Sequence, residues 1–190
     1  MNNAHIPILG FAAFSGTGKT TLLTKLIPLL KNKGLRVGLI KHSHHNFEID
    51  KPGKDSYRLR EAGATPVMLV SSHRRAIITE FSTCIEPKLD DQLTFYDQTE
   101  LDLILVEGFK TEQFPKIELH RPSLQKKLIF PEDPDIIAIA TDAKINPNCF
   151  PTSLSALQIS ALQHPPILDI NNPEMISDFI LNSFLRNKHD

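Results

Sequence analysis

Residues 13–21 read Ala13-Phe14-Ser15-Gly16-Thr17-Gly18-Lys19-Thr20-Thr21. They match the spacing G-x-x-x-x-G-K-[ST] at every fixed position except the first, where Ala13 stands for glycine. An apolar strand-like run, Ile6–Phe14, leads into them. Thr20–Lys33 follows, with Leu22, Leu23, Leu26, Ile27 and Leu30 at helical spacing. A strand, a glycine-containing turn and an amphipathic helix form the context in which such a loop holds phosphate. Gly16 and Gly18 let the backbone curl so that the N–H groups from Ser15 to Thr21 point inward at anionic oxygens. The first turn of the helix adds its positive end. Thr17 lies between the two glycines, Lys19 reaches the β- and γ-phosphates, and the Thr20 hydroxyl takes one position on Mg²⁺. Pro28 predicts a kink in the helix, and Gly34 closes it.

Working outward, short β-rich runs alternate with helical ones, which predicts an α/β fold: a mostly parallel sheet flanked by helices. Further strands are expected at Arg36–Lys41, Leu101–Val106, Lys116–Leu119 and Ile136–Ala140, and a short helix at Asp55–Ala62. Pro66–Val70 and Ala76–Phe81 are too close for a parallel crossover, so they read as an antiparallel β-hairpin excursion. Asn172-Pro173-Glu174 has helix-start chemistry, with Met175, Ile176, Phe179, Ile180 and Phe184 as the buried stripe. The chain reads as one domain over residues 1–190, with the hairpin at about 66–81 as a candidate dimerisation element.

The 190 residues are 41% hydrophobic and 23% charged, with a formal net charge of −1. That composition supports a globular core and argues against a dedicated nucleic-acid binder, whose affinity rests on phosphate neutralisation. No apolar run reaches the ~20 residues of a membrane span, and the first residues carry no lysine or arginine of a secretory leader. Cys84 and Cys149 make neither a disulfide framework nor a zinc pair. A soluble cytoplasmic protein, with no nucleic-acid or membrane partner, is the expectation.

A magnesium–phosphate site calls for a carboxylate at the ligand edge of a neighbouring strand. Leu101-Asp102-Leu103-Ile104-Leu105-Val106-Glu107-Gly108 offers two, about 16 Å apart at the rise of an extended strand. Ligands of open parallel sheets bind at the carboxyl ends of strands, which selects Glu107, for metal or for an attacking water. Asp102 then reads as a solvated strand end. After the second strand, Asp50 is a candidate for orienting water and Lys54 for neutralising phosphate, with an exposed turn as the alternative; Asp55 or Ser56 caps the short helix. His42, His44 and His45 raise transition-metal binding, but two imidazoles on one side of an extended segment leave a ligand set incomplete. Asp142, in Thr141-Asp142-Ala143-Lys144, can accept hydrogen bonds from a guanine edge or lie in a solvated turn. No arginine suggests itself as an in-cis finger, and the lack of one slows turnover by about 10³–10⁵.

Four blocks in order resemble one family. F-A-A-F-S-G-T-G-K-T-T-L-L (11–23), G-L-I-K-H-S-H-H (38–45), D-K-P-G-K-D-S-Y (50–57) and L-I-L-V-E-G-F-K (103–110) are similar to the MobB family of molybdopterin-guanine dinucleotide biosynthesis adapter proteins. The likeness covers roughly residues 6–145 and includes Ala13. It implies a P-loop protein that binds GTP and Mg²⁺ and has weak GTPase activity. It also implies a homodimer, with the hairpin around Ser71–Arg75 at the interface, and a partner, the guanylyltransferase that joins GMP to molybdopterin; direct molybdopterin binding stays open. Gly16 to Thr21, Asp50, Lys54 and Glu107 are the functional residues the resemblance implies. A metallochaperone-type GTPase using His42, His44 and His45, and a P-loop small-molecule kinase, are the alternatives.

Overall fold

The computed structural model describes residues 1–43, 47–145, 149–151, 153 and 165–186. These divide into two compact units, residues 1–42 with 88–190 and residues 43–87. The excursion expected at 66–81 is thus part of a larger inserted unit with its own short helix.

The first unit is built on a six-stranded sheet in the order β2-β5-β1-β6-β7-β8, every neighbouring pair parallel. Its strands are β1 (Ile8–Ala13), β2 (Val37–Lys41), β5 (Leu103–Glu107), β6 (Lys116–His120), β7 (Ile136–Thr141) and β8 (Ile167–Asp169). β1 lies between β5 and β6 and is buried along its whole length, as a strand covered on both faces must be. Alternation sends Leu9, Phe11, Leu103 and Leu105 to one face and Ile8, Ile104 and Val106 to the other. The first face is covered by α1 (Lys19–Asn32), through Leu22, Leu23, Leu26 and Leu30, and by the C-terminal helix α4 (Pro173–Phe179), through Ile176. Fully burying a leucine such as Leu26 contributes about 1.5–3 kcal/mol. Leu89 and Leu93 of α3 (Leu89–Leu93) join Phe109 and Phe114 on the opposite face.

α1 runs through Pro28, which sits on its exposed side, and ends where Gly34 turns left-handed at φ 89°. At α4, the Asn172 side chain accepts the Met175 N–H at 3.0 Å, the cap expected of Asn-Pro-Glu. The short helix α2 (Asp55–Glu61) differs: Lys54 is its capping residue and no side chain caps it, so neither Asp55 nor Ser56 takes that role. α3 and β8 were not anticipated. Each is too short to show a period, and β8 is made by tertiary pairing with β7.

β6 carries a buried polar row. Lys116, Glu118 and His120 alternate onto one face, each 2% exposed or less. Lys116 Nζ meets Asp133 at 2.9 Å, and the two Glu118 oxygens accept the N–H groups of Ile129 and Phe130 at 2.8 Å each. Polar groups buried this deeply are stable only when paired or hydrogen-bonded, as Lys116 and Glu118 are. Here they pin residues 128–135 to the sheet.

In the second unit, β3 (Val67–Val70) and β4 (Arg75–Ile78) form an antiparallel hairpin, pairing Met68 with Ile77 and Leu69 with Ala76. α2 packs against β3. Met68, Val70 and Ile77 are exposed while Val67, Leu69, Ala76 and Ile78 are half-buried, so one hairpin face presents apolar side chains to solvent.

Candidate functional site

All six parallel strands end at one edge of the sheet, and the loop from Phe14 to Gly18 leaves β1 at its centre. Gly18 precedes α1 in the left-handed region (φ 97°), and no side chain caps the helix. Gly16 is also left-handed, at φ 83°, and a β-carbon there would meet nothing; the glycine is kept for its backbone angle. The Thr17 hydroxyl is turned inward and donates to the Phe14 carbonyl at 2.8 Å. Thr17 therefore shapes the loop with its side chain and its backbone alike, its N–H also donating to the Phe14 carbonyl at 3.4 Å. Ser15, Thr20 and Thr21 are exposed, and Lys19 is part-exposed beside them. An uncapped helix start, with Ser15, Thr20 and Thr21 exposed beside it, has the chemistry to attract an anion.

Glu107 ends β5, in register with Phe11 of β1 and Lys41 of β2. Its carboxylate stands 3.5 Å from Lys19 Nζ and 3.4 Å from Lys41 Nζ. Gly108 follows at φ 104°, and a β-carbon there would fall 2.6 Å from the His42 β-carbon. Only glycine allows β2 and β5 to leave the sheet so close together. His42 donates its backbone N–H to the Glu107 carbonyl at 2.8 Å and stacks its ring on Phe109 at 4.7 Å. Lys110 lies over the Phe14 ring, its Nζ 5.6 Å from the centroid. Burial, reinforced by the nearby Lys19 charge, holds the Lys110 ammonium below its ordinary pKa.

On the other side of the loop stands Arg121, directly after β6. Its Nε donates to the Thr17 carbonyl at 2.9 Å, its Nη2 to Asn171 at 3.0 Å, and its Nη1 pairs with Asp142. Lys19, Lys41, Lys110 and Arg121 are thus the cationic side chains around the phosphate loop, with two carboxylates among them: Glu107 beside Lys19 and Lys41, and Asp142 beside Arg121. For a hard cation, the exposed Thr20 hydroxyl and the Glu107 oxygens are suitable donors, few enough that water completes the shell, as Mg²⁺ prefers.

The first unit brings Ser15 to Thr21, Glu107 and Asp142 to the same sheet edge. Asp50 and Lys54 belong to the second unit. There Lys54 is exposed at the start of α2, while Asp50 Oδ2 is enclosed with no hydrogen-bond partner among the described residues. His44 and His45 lie outside the described residues, and among those described no three His, Cys, Asp or Glu side chains gather to hold a metal. No described helix is long and apolar enough to cross a membrane.

The sequence reading missed Lys41, Lys110 and Arg121. Lys41 follows from strand register, since the last residue of β2 falls opposite Glu107. Lys110 is three residues past Glu107 and turns back only because Gly108 and Phe109 (φ 50°) are left-handed. Arg121 gave no local signal: its partners lie 104, 21 and 50 residues away in sequence.

The chain has relatives of known family. The chain is 46% identical over 184 residues to the molybdopterin-guanine dinucleotide biosynthesis adapter protein of Escherichia coli (strain K12), covering 93% of this chain and 92% of that one. It is 45% identical over 183 residues to the protein of the same name in Haemophilus influenzae, covering 96% and 91%. The crystal structure of molybdopterin-guanine biosynthesis protein B (mobB) superposes with a TM-score of 0.62 at 25% identity, over 92% of this chain and 97% of that one. The family model described as molybdopterin guanine dinucleotide synthesis protein B matches residues 8–142, a stretch that holds the loop, Glu107, Arg121 and Asp142, and the chain belongs to that family.

Proposed function

We propose that this chain binds GTP·Mg²⁺ on the phosphate loop, hydrolyses it slowly, and serves in the cytoplasm mainly as an adapter for the guanylyltransferase that joins GMP to molybdopterin. The observation that carries the nucleotide reading is the bare start of α1: a left-handed Gly18, no capping side chain, and Lys19 beside it. The loop amides bind the triphosphate and Lys19 transfers from Glu107 to its oxygens. Thr20 and Glu107 hold the magnesium ion, which draws charge from the phosphates when bound. Glu107 also accepts a proton from, or orients, the attacking water. Asp50 and Lys54 assist as water-orienting and phosphate-neutralising groups. Lys110 and Arg121 add positive charge beside the loop without being placed as a finger, in keeping with a slow rate.

The guanine preference, the guanylyltransferase and the adapter role are drawn from the family. The apolar hairpin face of Met68, Val70 and Ile77 supports a homodimer, since exposed apolar patches mark association surfaces.

Calorimetric titration with GTP and ATP, each with and without molybdopterin, tests the proposal. It expects GTP to bind in the presence of Mg²⁺ more tightly than ATP. Equal affinities would remove guanine. Stable phosphoryl transfer to a pterin or sugar instead of water would make the protein a kinase, and stoichiometric nickel or zinc binding abolished by His44→Ala would make it a metallochaperone.

A further inference from the structure

Three loops at the carboxyl edge of the large sheet converge on one guanidinium. Arg121 reaches the Thr17 carbonyl after β1, Asp142 after β7 and Asn171 after β8, through Nε, Nη1 and Nη2 respectively. A planar fork with donors in fixed directions can hold three such acceptors at once, and a lysine ammonium on a flexible stem cannot fix their relative geometry. Asp142 meets Arg121 through Oδ2 of its carboxylate, and the side chains of Arg121 and Asp142 remain about a quarter exposed (27% and 26%). Asn171 is exposed as well, and because its Oδ1 faces Arg121, its amide N–H₂ is turned elsewhere.

We propose that Arg121 is a specificity-determining positioning residue: it aims Asp142 and Asn171, as an acceptor and a donor, at the base of a purine nucleotide whose triphosphate lies on the loop. This rests on the guanine reading above. Guanine presents two N–H donors and a carbonyl oxygen along one edge, which suit a carboxylate and an amide N–H₂. Adenine reverses that pattern, with an amino group where guanine has the oxygen. Discrimination built on such polar groups is strong, because the wrong base leaves them unpaired. The third contact ties the same guanidinium to the Thr17 carbonyl, so the base-reading pair is set relative to the phosphate loop itself. Asn171 lies beyond the family's matched residues 8–142, in the segment where the sequence carries no recognisable motif.

Titrations of the full chain with GTP, ATP and inorganic tripolyphosphate, in the wild type, Arg121→Lys and Asn171→Ala, test this. The wild type is expected to prefer GTP, and each variant to lower the GTP-to-ATP affinity ratio at least about fivefold, the value of one net hydrogen bond. Tripolyphosphate affinity is expected to stay unchanged in Asn171→Ala, whose side chain bonds Arg121 and not the loop. A ratio unaltered in both variants overturns the inference while leaving guanine preference intact. So does an Asn171→Ala tripolyphosphate affinity that falls in step with both nucleotides, since the Arg121–Asn171 contact would then serve the loop and not the base. A wild type that binds GTP and ATP alike overturns the guanine reading first and this inference with it. Should Arg121→Lys fail to fold, as circular dichroism would reveal, Asn171→Ala decides alone.

Discussion

The carboxylate of Glu107 lies 3.5 Å from the ammonium of Lys19, across the gap between the end of β5 and the start of α1. The lysine that a triphosphate would attract is thus held by the carboxylate that a metal would attract. On the proposed reading, a nucleotide with its cation would draw Lys19 to phosphate and leave Glu107, still beside Lys41 at 3.4 Å, to the metal.

Lys19→Ala is expected to weaken nucleotide binding by at least about tenfold, the worth of a charge-assisted hydrogen bond to phosphate. The fold should persist, because Lys19 is part-exposed and packs into none of the hydrophobic clusters. Calorimetry and thermal melting on the same sample separate the two effects.

Glu107→Gln keeps the side chain's size and removes its charge. Hydrolysis is expected to fall by roughly 10²-fold or more, the usual contribution of a positioned base. Nucleotide affinity in the absence of Mg²⁺ should rise, since a negative charge beside the phosphates is gone and Lys19 is released. Single-turnover assays and titrations in EDTA read these separately.

How much of this was legible in advance depended on sequence distance. The loop, α1, β1 and β5 announce themselves because their patterns are local and long, and Glu107 follows from the polarity of a parallel sheet. Asp102, expected as a solvated strand end, lies just before β5 and is half-buried, and its partner was hidden: Arg36, just before β2, grips it with backbone and side chain. Arg121 could not be read from sequence because its role is the meeting of three loops far apart in the chain. Lys116 and Glu118 fall in a strand the sequence predicts, with nothing local to say how deeply they lie. Both are buried, and each is matched by partners on residues 129–133 that no spacing rule connects to β6.

Glu118 gives the folded chain a pH dependence of definite sign. Burial is the chief cause raising its carboxyl to about 7, against the two backbone N–H groups that oppose it. With the folded value above the unfolded one, the protonated acid is the form that folding favours. Stability from this group is full below the unfolded value near 4.5 and declines as pH rises to about 7, by up to about 3 kcal/mol. Asp102 acts oppositely: Arg36 holds it down at about 2, so its contribution is present above pH 4 and lost as pH falls toward 2. Chemical denaturation from pH 4.5 to 7.5 should show the Glu118 slope in the wild type and a flatter profile in Glu118→Gln.

Ile77→Glu places a charge in the middle of the exposed hairpin face while leaving Val67, Leu69, Ala76 and Ile78 on the other side untouched. Sedimentation velocity at micromolar concentration is expected to find the wild type dimeric and the variant monomeric, with unchanged circular dichroism. A monomeric wild type would remove the hairpin from any role in self-association.

The most direct test of nucleotide binding is a crystal structure with a non-hydrolysable GTP analogue and Mg²⁺. The account predicts triphosphate oxygens on the backbone N–H groups between Gly16 and Thr21, with Lys19 drawn from Glu107 onto them. An analogue seated elsewhere, or a loop left empty at saturating concentration, would contradict it.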